Sequence, residues 1–422
     1  MSRRPFCVRV ARRGLLLVLV VLVVGLIATE SRAQTLDNLI PRLMQLGDIP
    51  GLSAAVVQGD SLAWSGSFGI RDAITGTDVT DQTVFEAASL SKTVFAYVTL
   101  RLVDRGVIDL DTPLLRYAPY SRLAGDPRSR RVTARMCLSH TTGLPNWGTR
   151  FLAEPGTRFT YSGEGIRFLR KTLEVVTGLS LEDLARREAF EPLGMTDSSY
   201  LWPAGTARPR ARGHDAMGHP QPRRKCPDGS AAASLLTTAR DYARFLQACL
   251  RGDGLSPAMH AEMLQVQTPA NLGGSPAASS HLGWGLGWGT MDGRDGEVIW
   301  QWGDNGDTVA LVAGCPATGR GLVYLANSAT GLSIAYDLLA AVLPGPAWCL
   351  DALGYERYNS PARVRRMESL AQQAIQQRDW ARAGRDLNTL LELQPDHPWA
   401  AARLHEIEVQ RAALTDGKRD HG

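Results

Sequence analysis

Lysine is almost absent from this chain. Of 46 Lys and Arg residues only Lys92, Lys171, Lys225 and Lys418 are lysine. Arginine keeps its proton at ordinary pH, whereas a desolvated lysine can lose it. Cysteine is scarce too. Beyond the N-terminal segment the chain holds Cys137, Cys226, Cys249, Cys315 and Cys349, an odd number without metal-type spacing. A chain of 422 residues is far too large to need a disulfide scaffold, and any one or two bridges are left unassigned by sequence. No apolar run reaches the roughly 20 residues of a comfortable membrane span. No Lys/Arg block interleaves with aromatics as a nucleic-acid surface requires, and Arg223-Arg224-Lys225 reads as a solvated loop.

An apolar run from Gly14 to Ala28 follows Arg3, Arg4, Arg9, Arg12 and Arg13 and precedes Ser31-Arg32-Ala33. A basic start, a short apolar core and a small-residue cleavage site are the parts of an export signal. Residues 1–33 therefore read as a signal peptide, and the expected location is periplasmic or secreted. An uncleaved signal would instead anchor the protein to the membrane. Residues 1–33 hold six arginines and one glutamate, so removing them takes the formal charge from +4 to about −1. The basic balance belongs to the signal, and no nucleic-acid partner is expected.

Glycine-punctuated apolar runs and helical patterns alternate over residues 34–350, after which glycine nearly disappears. LSAAVVQ and SLAWSGSF flank Gly59-Asp60, a strand-turn-strand signal. WGLGWGT, TVALVAGC and GLVYLANS predict a second antiparallel set near the end of this region. Between the sets, helices are expected from Leu90 to Arg105, Glu164 to Val176, Leu181 to Phe190 and Thr238 to Leu250, with Gly106, Gly178 and Gly252 as stops. Strands at both ends with helices between them imply an α+β domain whose ends pair in one sheet. Residues 361–415 show two helical patterns around Gln394-Pro395-Asp396-His397-Pro398, with Trp380, Ala383, Leu387, Leu390 and Leu391 at helix spacing. This tail resembles one tetratricopeptide-type unit. It reads as a helical hairpin on the main domain or as a module for a protein partner.

Ser89 and Lys92 form the chain's one Ser-x-x-Lys, in EAASLSKTVFAY. At the start of a helix, this spacing puts hydroxyl and amine on one face, and the helix N-terminus opposes protonation of the amine. The buried stripe of that helix is expected at Val94, Phe95, Val98, Leu102 and Val103. His214 and His219 in GHDAMGHP read as loop residues rather than metal ligands, and neither metal nor cofactor is expected. His140 reads as a loop histidine bonded to backbone, and Trp147, Trp284, Trp288, Trp300 and Trp302 as core or pocket wall.

SLSK, LSHTTGLPNW, EPGTRFTYSGEG, AAASLLTTARDYARFL and WQWGDNGD occur in that order. This series resembles the serine β-lactamase and penicillin-binding family, in the branch of class C β-lactamases, D-stereospecific peptidases and esterases, over roughly Leu36 to Leu343. The resemblance implies a β-lactamase/transpeptidase-like fold: an antiparallel sheet flanked by helices with an inserted helical subdomain. It also implies a metal-free, cofactor-free serine hydrolase. Ser89 then corresponds to the acylated nucleophile, Lys92 to its proton partner and Tyr161 to the proton relay, with lysine or tyrosine left open as the base. Gln301-Trp302-Gly303 takes the place of the family's Lys/His-x-Gly, which puts the oxyanion donors at the backbone N–H groups of Ser89 and Asp304. Two departures touch substrate binding. Gln301 replaces a cation, and Gly163 replaces the asparagine of Tyr-x-Asn. Glu164 is expected to begin the next helix. The expected substrate is a small ester or D-amino-acid peptide before a β-lactam, and the rival reading is a non-catalytic penicillin-binding-like sensor or binding protein that uses the helical tail for a partner.

Overall fold

The computed structural model describes residues 35–202 and 208–416. The signal read at residues 1–33 lies outside the described residues. The chain forms two compact units, Met1–Arg42 and Leu43–Gly422. The described part of the first is helical, within helix α1 over residues 35–47. The sheet and all later helices belong to the second.

Strands β1 (Gly51–Gln58), β2 (Ser61–Asp72), β3 (Thr77–Asp78) and β4 (Phe85–Glu86) come first. A helical stretch follows with α2 (Ser91–Asp104), α3 (Ala134–Leu138), α4 (Gly163–Thr177) and α5 (Leu181–Ala185). After β5 (Leu236–Thr237) come α6 (Ala239–Arg251), α7 (Pro257–Leu264), β6 (Thr268–Pro269) and α8 (Pro276–Ser279). Strands β7 (Leu282–Trp284), β8 (Gly289–Gly293), β9 (Gly296–Asp304), β10 (Val309–Cys315) and β11 (Arg320–Ala326) complete the sheet. Helices α9 (Ala335–Val342), α10 (Trp348–Leu353), α11 (Pro361–Gln376), α12 (Trp380–Leu393) and α13 (Ala400–Asp416) end the chain.

The main sheet has nine strands in the order β3-β2-β1-β11-β10-β9-β8-β7-β6, and β4 pairs with β5 separately. The class is α+β with antiparallel pairing, and the two ends of the domain meet as read from sequence: β1 pairs with β11 from Leu52↔Ala326 to Gln58↔Arg320. Helix α6 packs on this centre through Leu246 and Leu250. A methyl group on Gly321 would lie 2.6 Å from Leu246, and one on Gly314 2.9 Å from Leu250, so glycine there permits the close approach.

Capping explains the helix bounds. Thr238 caps α6 through the Asp241 N–H, and Gly252 closes it in the left-handed region at φ 81°. Ser162 caps α4 through the Gly165 N–H, and Gly178 closes it.

Three readings need correction. Helix α2 is buried on every side from Ser91 to Leu100 rather than along one stripe, while Val103 is only partly buried. It is a core helix. WGLGWGT joins the antiparallel set as two strands rather than one: Trp284 ends β7 and Gly289–Thr290 begin β8, and the turn between them holds Gly287 at φ 91°, where a Cβ would strike Ala96. The tail holds three helices instead of two, since Arg378 at φ 57° and the Asp379 N-cap break the first pattern. Its own core joins Met367, Leu370 and Ala374 to Ala383, Leu387, Leu390 and Ile407.

Candidate active site

Ser89 sits in a tight turn, Ala88–Leu90, that feeds directly into α2. Ala88 before it is held in the left-handed region at φ 47°, costly for a residue with a Cβ. The surroundings fix it there. Ala87 N–H donates to the Leu235 carbonyl (2.8 Å), and the Ser91 hydroxyl accepts from Leu235 N–H (2.8 Å) while donating to the Ala88 carbonyl. Between Thr83 and Leu100 every side chain is buried except Ser89, which alone reaches the surface.

Lys92 follows one turn later, 1% exposed. Its Nζ donates to Ser89 Oγ at 2.9 Å and to the Ala232 carbonyl at 2.7 Å, and it lies 4.8 Å from the centre of the Tyr161 ring. No carboxylate appears among these partners, so burial alone acts on it. Desolvation lowers its pKa from the ordinary 10.5 to about 7.

Tyr161 is half-buried by surface area, on the loop before α4. Burial of its hydroxyl pushes its pKa above the usual tyrosine range, opposed by hydrogen bonds to Ser89 and Gln301. Ser89, Lys92 and Tyr161 are thus in mutual contact. His140, also left-handed at φ 57°, packs at a tilt with its ring centre 4.4 Å from that of Tyr161 and accepts the Ser162 N–H on Nδ1 at 3.1 Å. Burial first, then Lys92, holds its pKa well below the usual histidine value. It bonds backbone, in the way its loop position suggested.

The strand β9 borders the turn from the other side. Gly303 is required there, because a methyl group would lie 2.3 Å from the Ala87 carbonyl oxygen. Gln301 is completely buried. Its amide nitrogen lies 3.4 Å from both the Ser89 carbonyl and the Tyr161 hydroxyl, and its oxygen accepts from Trp302 N–H at 3.2 Å. It braces the nucleophile turn internally instead of presenting an amide to open solvent. Trp302 is half-buried and lies 4.8 Å from the Tyr161 ring. Trp284, Trp288 and Trp300 belong to the core, while Trp147 is 57% exposed. The Asp304 carboxylate points to its own turn and to the segment between α10 and α11, accepting from Gly306 N–H (2.7 Å) and the Tyr355 hydroxyl (2.7 Å).

Glu164 lies in the first turn of α4, as expected, and its buried carboxylate accepts from the Tyr120 hydroxyl (2.7 Å) and Arg122 Nε (2.9 Å). It is therefore engaged away from Lys92. Asn146, from the LSHTTGLPNW loop, fills the space beside Gly163. A Cβ on Gly163 would lie 2.6 Å from the Asn146 carbonyl oxygen and 2.9 Å from its Oδ1, which is buried and unpartnered. Sequence reasoning missed Asn146, Ala232 and Tyr355, although the first two lie inside or beside motifs already in view. His214 is buried against the Asn327 carbonyl (2.8 Å), and His219 is exposed beside Asp215.

A serine and a buried lysine in hydrogen-bond contact, with a tyrosine hydroxyl beside them on an antiparallel α+β scaffold, define a serine hydrolase-like site of the penicillin-recognising kind. The chain belongs to the β-lactamase family, whose family model, described as Beta-lactamase, matches residues 36–344. It is similar to penicillin-binding protein 4 of Amycolatopsis lactamdurans, 28% identical over 70% of this chain and 85% of that protein. It is also similar to an unguisins hydrolase of Aspergillus campestris, 26% identical over 74% of this chain, of whose length it spans 66%. A class C β-lactamase structure superposes with a TM-score of 0.61 at 24% identity, covering 74% of this chain and 96% of that one.

Proposed function

We propose that the protein is an exported serine hydrolase that forms an acyl-enzyme on Ser89. The observation that carries the proposal is the 2.9 Å contact between Ser89 Oγ and the buried Nζ of Lys92, whose pKa burial lowers to about 7. Neutral Lys92 accepts the Ser89 proton as Oγ adds to the substrate carbonyl. The Tyr161 hydroxyl stays protonated, so it serves as relay, passing a proton to the departing alcohol or amine while Lys92 replenishes it. The backbone N–H groups of Ser89 and Asp304 take the oxyanion, a role independent of side-chain identity and worth roughly 3–4 kcal/mol per donor. Water then adds to the acyl carbonyl and gives a proton to the Tyr161–Lys92 pair, which passes it to Ser89 Oγ as the acyl–oxygen bond breaks and the acid leaves.

Gln301 and Gly163 bear on the substrate. A neutral buried amide at Gln301 offers a substrate carboxylate no charge, which favours esters and D-amino-acid peptides over β-lactam acids. Asn146 stands in for the amide that Gly163 lacks. The half-buried Trp302 and exposed Trp147 supply apolar walls for the acyl group.

A fluorophosphonate probe tests the chemistry, followed by a panel of chromogenic esters, D-amino-acid anilides and nitrocefin. Wild type should label at Ser89 and turn over esters or anilides. Absence of label, or equal label on Ser89→Ala, overturns the proposal.

A further inference from the structure

Among the described residues, Arg363 on α11 is an arginine whose three guanidinium nitrogens are all buried and without a hydrogen-bond partner. The residue is 2% exposed. A buried guanidinium normally meets carboxylates or carbonyls, because desolvating a cation without partners is costly. The nearest acid offers only a weak contact: Asp48 Oδ2 lies 4.0 Å away, beyond hydrogen-bond distance. Burial accordingly lowers the Arg363 pKa, with Asp48, Asp386 and Glu356 opposing that fall and Arg366 adding to it.

Arg363 lines a cavity of about 210 Å³ together with Ser333, Tyr355, Glu356, Arg357 and Arg366. The Ser333 hydroxyl is also buried and unpartnered. Arg357 is occupied, 3.5 Å from Asp337 and 4.6 Å over the Tyr336 ring, and Arg366 holds Glu356 at 3.8 Å. The lining holds Arg357, Arg363 and Arg366 with Glu356, while Asp337 and Asp48 meet Arg357 and Arg363 from outside it, and open donors remain on Arg363 and Ser333. A planar guanidinium presents paired N–H groups that match the two oxygens of a carboxylate or phosphate.

We propose that this cavity at the base of the tail binds a small oxyanion, a carboxylate or phosphate group, through Arg363 with Ser333 and Arg366 beside it. Tyr355, which also lines the cavity, spends its hydroxyl on Asp304 and leaves the open donors to Arg363 and Ser333. The binding itself does not depend on the hydrolase assignment.

Calorimetric titration of the full chain with inorganic phosphate and separately with acetate tests it, using chloride at matched ionic strength as control and Ser89→Ala as a parallel sample. One saturable site is expected for at least one of the two oxyanions, equal in wild type and Ser89→Ala. Heat with phosphate alone assigns a phosphate group; heat with acetate alone assigns a carboxylate. Arg363→Gln should weaken binding at least about tenfold, in line with a lost charge-assisted hydrogen bond, and Arg366→Gln by a smaller factor. Should Arg363→Gln fail to fold, Arg366→Gln and Ser333→Ala carry the test. No saturable heat with either ion, equal heat with chloride, or affinity unchanged across the folded variants would overturn the site and leave water as the occupant.

Discussion

Asn146 stands so close to Gly163 that no side chain fits between them: a Cβ on Gly163 would lie 2.6 Å from the Asn146 carbonyl oxygen. Backbone cannot step aside as a flexible side chain can. Gly163→Ala should therefore displace the 145–147 loop and cost about 1–3 kcal/mol in denaturant unfolding, the range for overpacking. Restoring the family amide by Gly163→Asn should lower ester turnover rather than raise it. Asn146→Ala should keep the melting temperature near wild type and reduce kcat/KM about tenfold, the scale of one lost substrate hydrogen bond. Full activity in Gly163→Asn would remove Asn146 from the proposed site.

The pH behaviour follows from Lys92. Its folded pKa of about 7 lies below the ordinary 10.5, so between those values the unfolded chain holds a proton that the folded chain has released. Stability contributed by this group therefore rises with pH across that window, and its penalty is complete below about 7. Wild-type kcat/KM on an ester should climb through pH 7 and level off above it. Lys92→Met should be inactive, and its stability relative to wild type should fall as pH rises from 7 to 10. A difference that stays flat across that range contradicts the assigned shift.

Gln301→Leu removes the amide that lies 3.4 Å from both the Tyr161 hydroxyl and the Ser89 carbonyl. Both groups lose a buried partner, which costs about 1–3 kcal/mol. Loss of the bond also raises the Tyr161 pKa further, so kcat should fall more than KM rises. Urea unfolding and steady-state ester kinetics check the two effects. An unchanged kcat would show that the brace is dispensable.

Tyr355→Phe deletes the 2.7 Å hydrogen bond to Asp304 while keeping the ring. An anion is thereby released at the end of β9, so KM for an anionic ester should rise more than KM for its neutral analogue. Comparing the two esters in one assay measures this. Equal shifts would limit Tyr355 to packing.

Much of this was legible in the residues themselves. The hairpin at Gly59-Asp60 and the helices stopped by Gly106, Gly178 and Gly252 depend on local chemistry, and the local signals sufficed. Ser89 and Lys92 were visible for the same reason, being one turn apart. Asn146 was not, because its proximity to Gly163 comes from a loop returning to the start of α4, and Gly163 read only as a loss. Gln301 read as a substrate contact because a strand edge carries no mark of how deeply its side chain sinks. Tyr355 lies in the irregular segment between α10 and α11, and Arg363 in the first turn of α11, where no local pattern shows which part of the main domain they meet.

The pairing of β1 with β11 places the first and last strands of the domain side by side at the middle of the sheet. A chain emerging from the ribosome can pair β1 with β2 at once, but the other edge of β1 stays open until almost the whole domain has been made. Closure over so long a loop is slow, and unpaired edges invite aggregation meanwhile. Ser89 and Lys92 are synthesised early, but the Gln301 brace and Gly303 arrive only with β9. The arrangement around Ser89 is therefore incomplete until β9 has been made.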